Sequence, residues 1–152
     1  MAKIDELDLT ILSELSEDAS ISIPRLSEKI KVNPSVVYSR IKRLTKRNLI
    51  ERFTIVVNDK ELGYGVKALT GLNMDSKYRD TIIDELFKIK GVREISEVTG
   101  RFDIIVTMYA MNLAEMHKLI SEGIGRIEGV LASESFIEMK RRTKTMPYNH
   151  QT

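Results

Sequence analysis

Between Val66 and Met139 the hydrophobic period of the chain alternates in an order that few folds accommodate. Val66–Met74 reads as a strand with Val66, Ala68, Thr70, Leu72 and Met74 on one face. Lys77–Lys90 switches to helical spacing through Ile82, Ile83, Leu86, Phe87 and Ile89, and Gly91 stops it. Val92–Thr99 and Ile104–Ala110 return to strand character on either side of a hairpin turn, Gly100-Arg101-Phe102-Asp103. Asn112 caps a second helix carrying Leu113, Met116, Leu119, Ile120 and Ile127, with a break expected near Gly123 or Gly125. Val130–Met139 is the last strand. The order βαββαβ predicts the ferredoxin-like split unit, an antiparallel sheet with both helices on one face.

That geometry leaves one sheet face open, and a half-covered sheet should alternate apolar and polar residues. Ile104-Ile105-Val106-Thr107-Met108-Tyr109 is instead apolar on both faces. Something must cover the open side. The economical cover is the same sheet of a second copy, which predicts a homodimer; the alternative is a wing or the C-terminal tail.

The first half reads as three helices. Asp5 is a candidate N-cap for Leu7, Ile11, Leu12 and Leu15, with the helix ending near Asp18. Ser22 and Pro24 open a short second helix that runs to Ile30, and Lys31-Val32-Asn33 forms a tight turn. A third helix starts at Asn33 or Pro34 and carries Val37, Ile41 and Leu44 inward to about Arg47. Two short helices joined by such a turn have the spacing of a helix-turn-helix. The expected class is therefore α+β: a helix-turn-helix domain over 1–50, a strand-like linker or wing over 51–65, the ferredoxin-like βαββαβ sheet domain over 66–140 and a tail over 141–152.

Charge sharpens the first half. A formal net charge of +2 is a near-cancellation. Residues 1–24 carry one base against six acids, and 25–52 carry nine bases against two acids. Residues 53–139 hold ten bases and fourteen acids, and Lys140-Arg141-Arg142-Thr143-Lys144 adds four bases. A basic block this short between acidic flanks fits a phosphate-contacting surface. With Val37, Ile41 and Leu44 turned inward, Ser35, Tyr38, Ser39, Arg40, Lys42, Arg43 and Lys46 become candidate DNA contacts, the hydroxyls for base edges and the bases for phosphates or guanine. The plainer alternative is a solvated face of a three-helix bundle. Helix-turn-helix modules usually read paired half-sites, so double-stranded DNA and a homodimer are mutually consistent expectations.

Composition argues against catalysis. Cysteine is absent and His117 and His150 are the only histidines, which excludes thiolate chemistry and argues against a zinc site or a Ser-His-Asp triad. No catalytic or metal-ligating set and no cofactor is expected. No apolar run approaches the roughly 18 residues of a membrane span, and Met1-Ala2-Lys3-Ile4-Asp5 does not read as a signal peptide, so a cytoplasmic location without a membrane partner is expected. Lys140–Lys144 is either a phosphate-touching or a solvated tail.

The arrangement resembles the Lrp/AsnC, or feast/famine, family of bacterial and archaeal transcription regulators over roughly residues 4–140. The likeness is carried by Leu7-Asp8-Leu9-Thr10-Ile11-Leu12, by Pro34-Ser35-Val36-Val37-Tyr38-Ser39-Arg40-Ile41-Lys42-Arg43-Leu44, by Leu49-Ile50, by Gly91-Val92, by Val98-Thr99-Gly100-Arg101-Phe102-Asp103 and by Gly129-Val130. The resemblance implies dimers that associate further, often to octamers, with a small amino acid bound between dimers. It maps the recognition helix to Pro34–Lys46 and the effector loop to Thr99, Gly100, Arg101, Phe102 and Asp103, with Ser133 and Ser135 expected to help line the site. Glutamine is one candidate effector, from similarity to archaeal members. Gly100 would offer an unobstructed N–H to a carboxylate and Asp103 an acceptor to an ammonium group, although both residue types are also ordinary in turns. Thr45-Lys46-Arg47 replaces the family's usual acidic residues after this helix. The function so implied is sequence-specific transcriptional regulation with assembly or DNA affinity set by an amino acid. An architectural DNA-compacting protein, or an enzyme or metabolic sensor built on the ferredoxin-like half, are the other readings.

Overall fold

The computed structural model describes residues 3–144 and Tyr148. The rest of the tail expected over 141–152, with His150, lies outside the described residues. The chain divides into two compact units, Met1–Val56 with Arg142–Thr152, and Val57–Arg141. The division falls within the linker expected over 51–65.

In the first unit, helices α1 (Glu6–Glu17), α2 (Ile23–Ile30) and α3 (Pro34–Lys46) each start at a residue whose side chain accepts a backbone N–H that has no partner within the helix. Asp5 and Asp8 form a reciprocal capping box on α1, the Asp8 N–H donating to Asp5 Oδ1 at 3.0 Å and the Asp5 N–H to Asp8 Oδ2 at 3.2 Å. Lys31 adopts a left-handed conformation that ends α2 and makes the turn into α3. Ile11, Leu15, Leu26, Val37 and Leu44 meet in the core, so the inward stripe expected for α3 is the observed one. Tyr148 lies beside α1, its N–H donating to Ser13 Oγ at 2.8 Å.

Glu51–Val57, expected as a strand-like linker, is extended and forms no strand. Its composition favours extension, but a strand exists only through ladder bonds to a neighbour, and this segment forms no backbone–backbone hydrogen bond among the described residues. Phe53, Ile55 and Val56 are exposed.

The second unit is a four-stranded antiparallel sheet of β1 (Val66–Met74), β2 (Val92–Glu97), β3 (Ile104–Ala110) and β4 (Val130–Ile137), in the spatial order β2-β3-β1-β4. Helix α4 (Arg79–Lys88) follows a single 3-10 turn, Ser76–Tyr78. Helix α5 (Leu113–Lys118) passes into a π turn, Leu119–Gly123, and a 3-10 turn, Ile124–Arg126. The break expected near Gly123 or Gly125 therefore falls within a graded loosening of the helix. Ala68, Leu72, Met74, Ile104, Val106, Met108 and Ala110 pack with Ile82, Leu86, Met116 and Ile124. On the other face Ile105, Thr107 and Tyr109 are half-buried, and Leu69 and Phe136 are exposed. Among the described residues no helix is long and apolar enough to cross a membrane.

Candidate DNA interface and effector loop

Helix α3 presents three faces. Val37 and Leu44 are buried. Ser35, Tyr38, Ser39, Lys42 and Lys46 are exposed, and their three-to-four-residue spacing places them along one side. Thr45, not among the expected contacts, joins the same stripe and is also exposed. Asn33 Oδ1 accepts both the Ser35 N–H at 2.9 Å and the Ser35 hydroxyl at 2.8 Å, which anchors the first turn. Lys42 and Lys46 form no ion pair among the described residues and are free to meet phosphates.

Arg40 and Arg43, also expected as DNA contacts, stand apart from this stripe. They lie on the flank of α3 that faces α1, half-buried, with their guanidinium groups on its acids. Arg40 Nη1 contacts Asp5 Oδ2 and donates to Asp8 Oδ1 at 3.1 Å, while Arg43 Nη2 donates to Asp8 Oδ2 at 2.5 Å. Lys29 likewise pairs with Glu14 of α1. The acidic first segment thus neutralises part of the basic block from inside the unit. Sequence order alone shows the two charge runs as neighbours without pairing them.

Arg40 beside Asp5, together with the Asp8 N–H, holds the Asp5 carboxyl at about 2 against its ordinary 3.8. Because the folded value is the lower one, this contribution to stability is complete above about pH 4 and fades as pH falls towards 2. Asp5→Asn is expected to flatten acid unfolding in that window, followed by circular dichroism. Superimposable acid profiles for variant and wild type would refute it.

In the second unit the turn after β2 is pinned to the sheet from several sides. Asp103 donates its N–H to the Leu72 carbonyl at 2.9 Å and accepts the Met74 N–H on Oδ2 at 3.0 Å. Asn73 Nδ2 donates to the Arg101 carbonyl at 2.8 Å. The Phe102 ring lies flush over Gly71, where a Cβ would sit 2.4 Å from ring carbon Cδ2, and meets Phe136 edge-on at 6.4 Å. Arg101 pairs with Glu134 at 2.8 Å. Gly100 has φ of +129°, and its N–H donates to no group among the described residues. Thr99 is exposed. The expected loop residues are thus brought together around a free N–H and a charged pair, with one oxygen of Asp103 committed to the backbone.

Ser133 and Ser135 are not brought to this loop within the protomer. Ser135 Oγ lies 2.9 Å from Thr70 Oγ1, a residue of the helix-covered face, and Ser133 pairs in register with buried Leu72. Side chains alternate along a strand, so Glu134 and Phe136 take the loop side instead. An apolar residue and a carboxylate facing the loop become readable from that alternation once the register is known.

Comparison with known proteins follows the same division. A winged helix-turn-helix DNA-binding family matches residues 4–51, and the Lrp/AsnC ligand binding domain matches residues 67–148. The chain belongs to the Lrp/AsnC family. It is 32% identical to the transcriptional regulator AzlB of Bacillus subtilis (strain 168), over 95% of each chain. It is also 32% identical to the regulator LrpA of Pyrococcus horikoshii, over 84% of this chain and 90% of that one. The Neisseria meningitidis transcriptional regulator NMB0573, solved as its L-Met complex, superposes with a TM-score of 0.90 over 97% of both chains at 18% identity, a likeness of fold. As an Lrp/AsnC protein the chain is a helix-turn-helix transcriptional regulator with a regulatory ligand-binding domain. In this Lrp/AsnC protein Thr45-Lys46-Arg47 is exposed, so the basic end of α3 is presented to solvent.

Proposed function

We propose that this regulator reads double-stranded DNA through the α3 stripe Ser35, Tyr38, Ser39, Lys42 and Lys46. A small amino acid held at the Thr99–Asp103 loop then changes its assembly and hence its DNA affinity. The observation that carries the reading is the stripe itself, with hydroxyls near the N-terminus of α3 and unpaired lysines further along. Short polar side chains suit base edges in the major groove, and lysines suit phosphates on its rim. The chain works as a regulator in the cytoplasm and not as a catalyst.

A homodimer is supported by the partly apolar open face of the sheet and by the unpaired extended segment before it. Association of dimers towards an octamer would set the spacing between helix pairs, and ligand would bias that equilibrium by linkage. At the loop, the Gly100 N–H and Arg101 suit a carboxylate, and Glu134 suits an ammonium group. Glutamine is one candidate, from the resemblance to archaeal members of the family, and NMB0573 was solved with methionine.

The decisive measurement is affinity for a duplex spanning the DNA upstream of its own coding region, titrated with salt. Each neutralised phosphate contributes about 0.9 to the slope of log K against log [salt]. Lys42→Ala with Lys46→Ala is expected to lower affinity on all sequences and to flatten that slope by about 0.9 for each phosphate left without its lysine. A wild-type slope near zero would sink the reading.

A further inference from the structure

Two arginines of α3 carry charge that never reaches the exposed stripe: both end on Asp8, and Arg40 contacts Asp5 as well. Asp8 is fully buried, yet it is ionically satisfied from two directions. Its oxygens take the Asp5 N–H at 3.2 Å, Arg40 Nη1 at 3.1 Å and Arg43 Nη2 at 2.5 Å. We infer that Asp8 is the positioning residue of the recognition helix, and that Arg40 and Arg43 act on DNA affinity through Asp8 rather than by touching phosphates. This rests on the reading of α3 as the helix that meets DNA.

Val37 and Leu44 fasten α3 to the core through non-directional apolar contact, which tolerates small rotations about the helix axis. Charge-assisted hydrogen bonds are directional. Arg40 and Arg43 are three residues apart on one flank, so together they fix both rotation and slide of α3 against a carboxylate that α1 holds in its first turn. A rotation of about 20° moves side-chain ends at a radius of about 5 Å by about 2 Å, which breaks a base-edge hydrogen bond. The stripe Ser35, Tyr38, Ser39, Lys42 and Lys46 shares that rotation because it belongs to the same rigid helix.

The arginines have a reason to stay. Swinging either guanidinium out to a phosphate would strip a counter-charge from a carboxylate that water does not reach. Arg43 Nε is buried with no acceptor among the described residues, so the bond from Nη2 to Asp8 is what holds this guanidinium. Lys42 and Lys46 carry no such obligation. The division of labour among the four bases of α3 thus follows from which face each occupies, although all four look alike in the sequence.

The test compares wild type with Asp8→Asn, Arg40→Gln, Arg43→Gln and the double variant Asp8→Asn/Arg43→Gln. The duplex from upstream of the coding region and a random-sequence duplex of equal length serve as probes, at a temperature where circular dichroism shows each variant folded. Asp8→Asn is expected to bind the upstream duplex roughly tenfold more weakly, with the random duplex little changed, so that the specificity ratio falls. Arg40→Gln and Arg43→Gln should behave alike and leave the salt slope at its wild-type value. The double variant should be no weaker than the weaker single one, because the groups work as a unit. Tighter binding and a steeper slope in Asp8→Asn would overturn the inference, since they would mean freed arginines reaching phosphates. Equal losses on both duplexes, or a slope flattened by about 0.9 in either arginine variant, would overturn it as well. Should Asp8→Asn not fold, the slopes of the two arginine variants decide by themselves. Failure of the underlying reading is separate: it would show as an unchanged slope in the Lys42 and Lys46 variants.

Discussion

Leu44→Ala is expected to abolish DNA binding at ordinary temperatures by unfolding the first unit. Leu44 is fully buried among Ile11, Leu15, Leu26 and Val37, on the helix that also carries the exposed stripe. Truncation to Ala removes transfer energy and leaves a cavity, together costing about 2–5 kcal/mol. A unit of this size has a small core to draw on, and whole domains are commonly stable by only about 5–15 kcal/mol. The predicted signature is loss of amide-exchange protection in α1–α3 with protection kept in β1 and β3. Unchanged protection in α1–α3 would show that the buried cluster does not hold the unit together. Ile41→Ala, on the partly buried edge of the same cluster, should do the same more weakly.

Gly71→Val should have the largest effect on effector response. A Cβ at this position would meet Phe102 ring carbons at 2.4 to 2.7 Å, which no packed structure tolerates. The ring must lift, and it cannot lift alone. The same loop is bonded to β1 through Asp103 and Asn73 and to β4 through the Arg101–Glu134 pair. Overpacking of this kind costs about 1–3 kcal/mol, equivalent to roughly 5–150-fold in an equilibrium constant. A thermal-shift screen of the wild type against the twenty amino acids identifies the effector; saturation at 100 times Kd stabilises by about 2.7 kcal/mol. Gly71→Val is then expected to need at least tenfold more of that amino acid for half of the shift, with ligand-free DNA affinity retained. Wild-type effector affinity in the variant would remove the loop from the site. Silence of the wild type across all twenty would remove the amino acid.

Much of this architecture is legible in order and period. The βαββαβ sequence of elements, the helix starts at Asp5, Ser22, Asn33 and Asn112, and the inward stripe of α3 all follow from contacts within one or two helical turns or from strand alternation. Such signals are local, so a linear sequence carries them. Where sequence and structure part, the cause is long-range. Arg40 and Arg43 group with Lys42 and Lys46 in the sequence because composition counts charge without saying which charges meet. Asp5 and Asp8 lie more than 30 residues away, and only the packing of α1 on α3 brings them together. Ser133 and Ser135 suit the loop by polarity alone, whereas the register of β4 against β1 turns Glu134 and Phe136 that way.

The sequence by itself determined the class of fold, the helix-turn-helix spacing and the location of the basic block, because periodicity, capping and charge runs are properties of neighbours. Tertiary structure decided which of those basic residues are free. An arginine's charge is the same in any conformation, but its availability to DNA depends on whether a buried carboxylate from another helix has already claimed it. Within what looks like one +7 block over residues 25–52, helix α3 divides into an outward row of lysines and hydroxyls and an inward pair of arginines closed on Asp8.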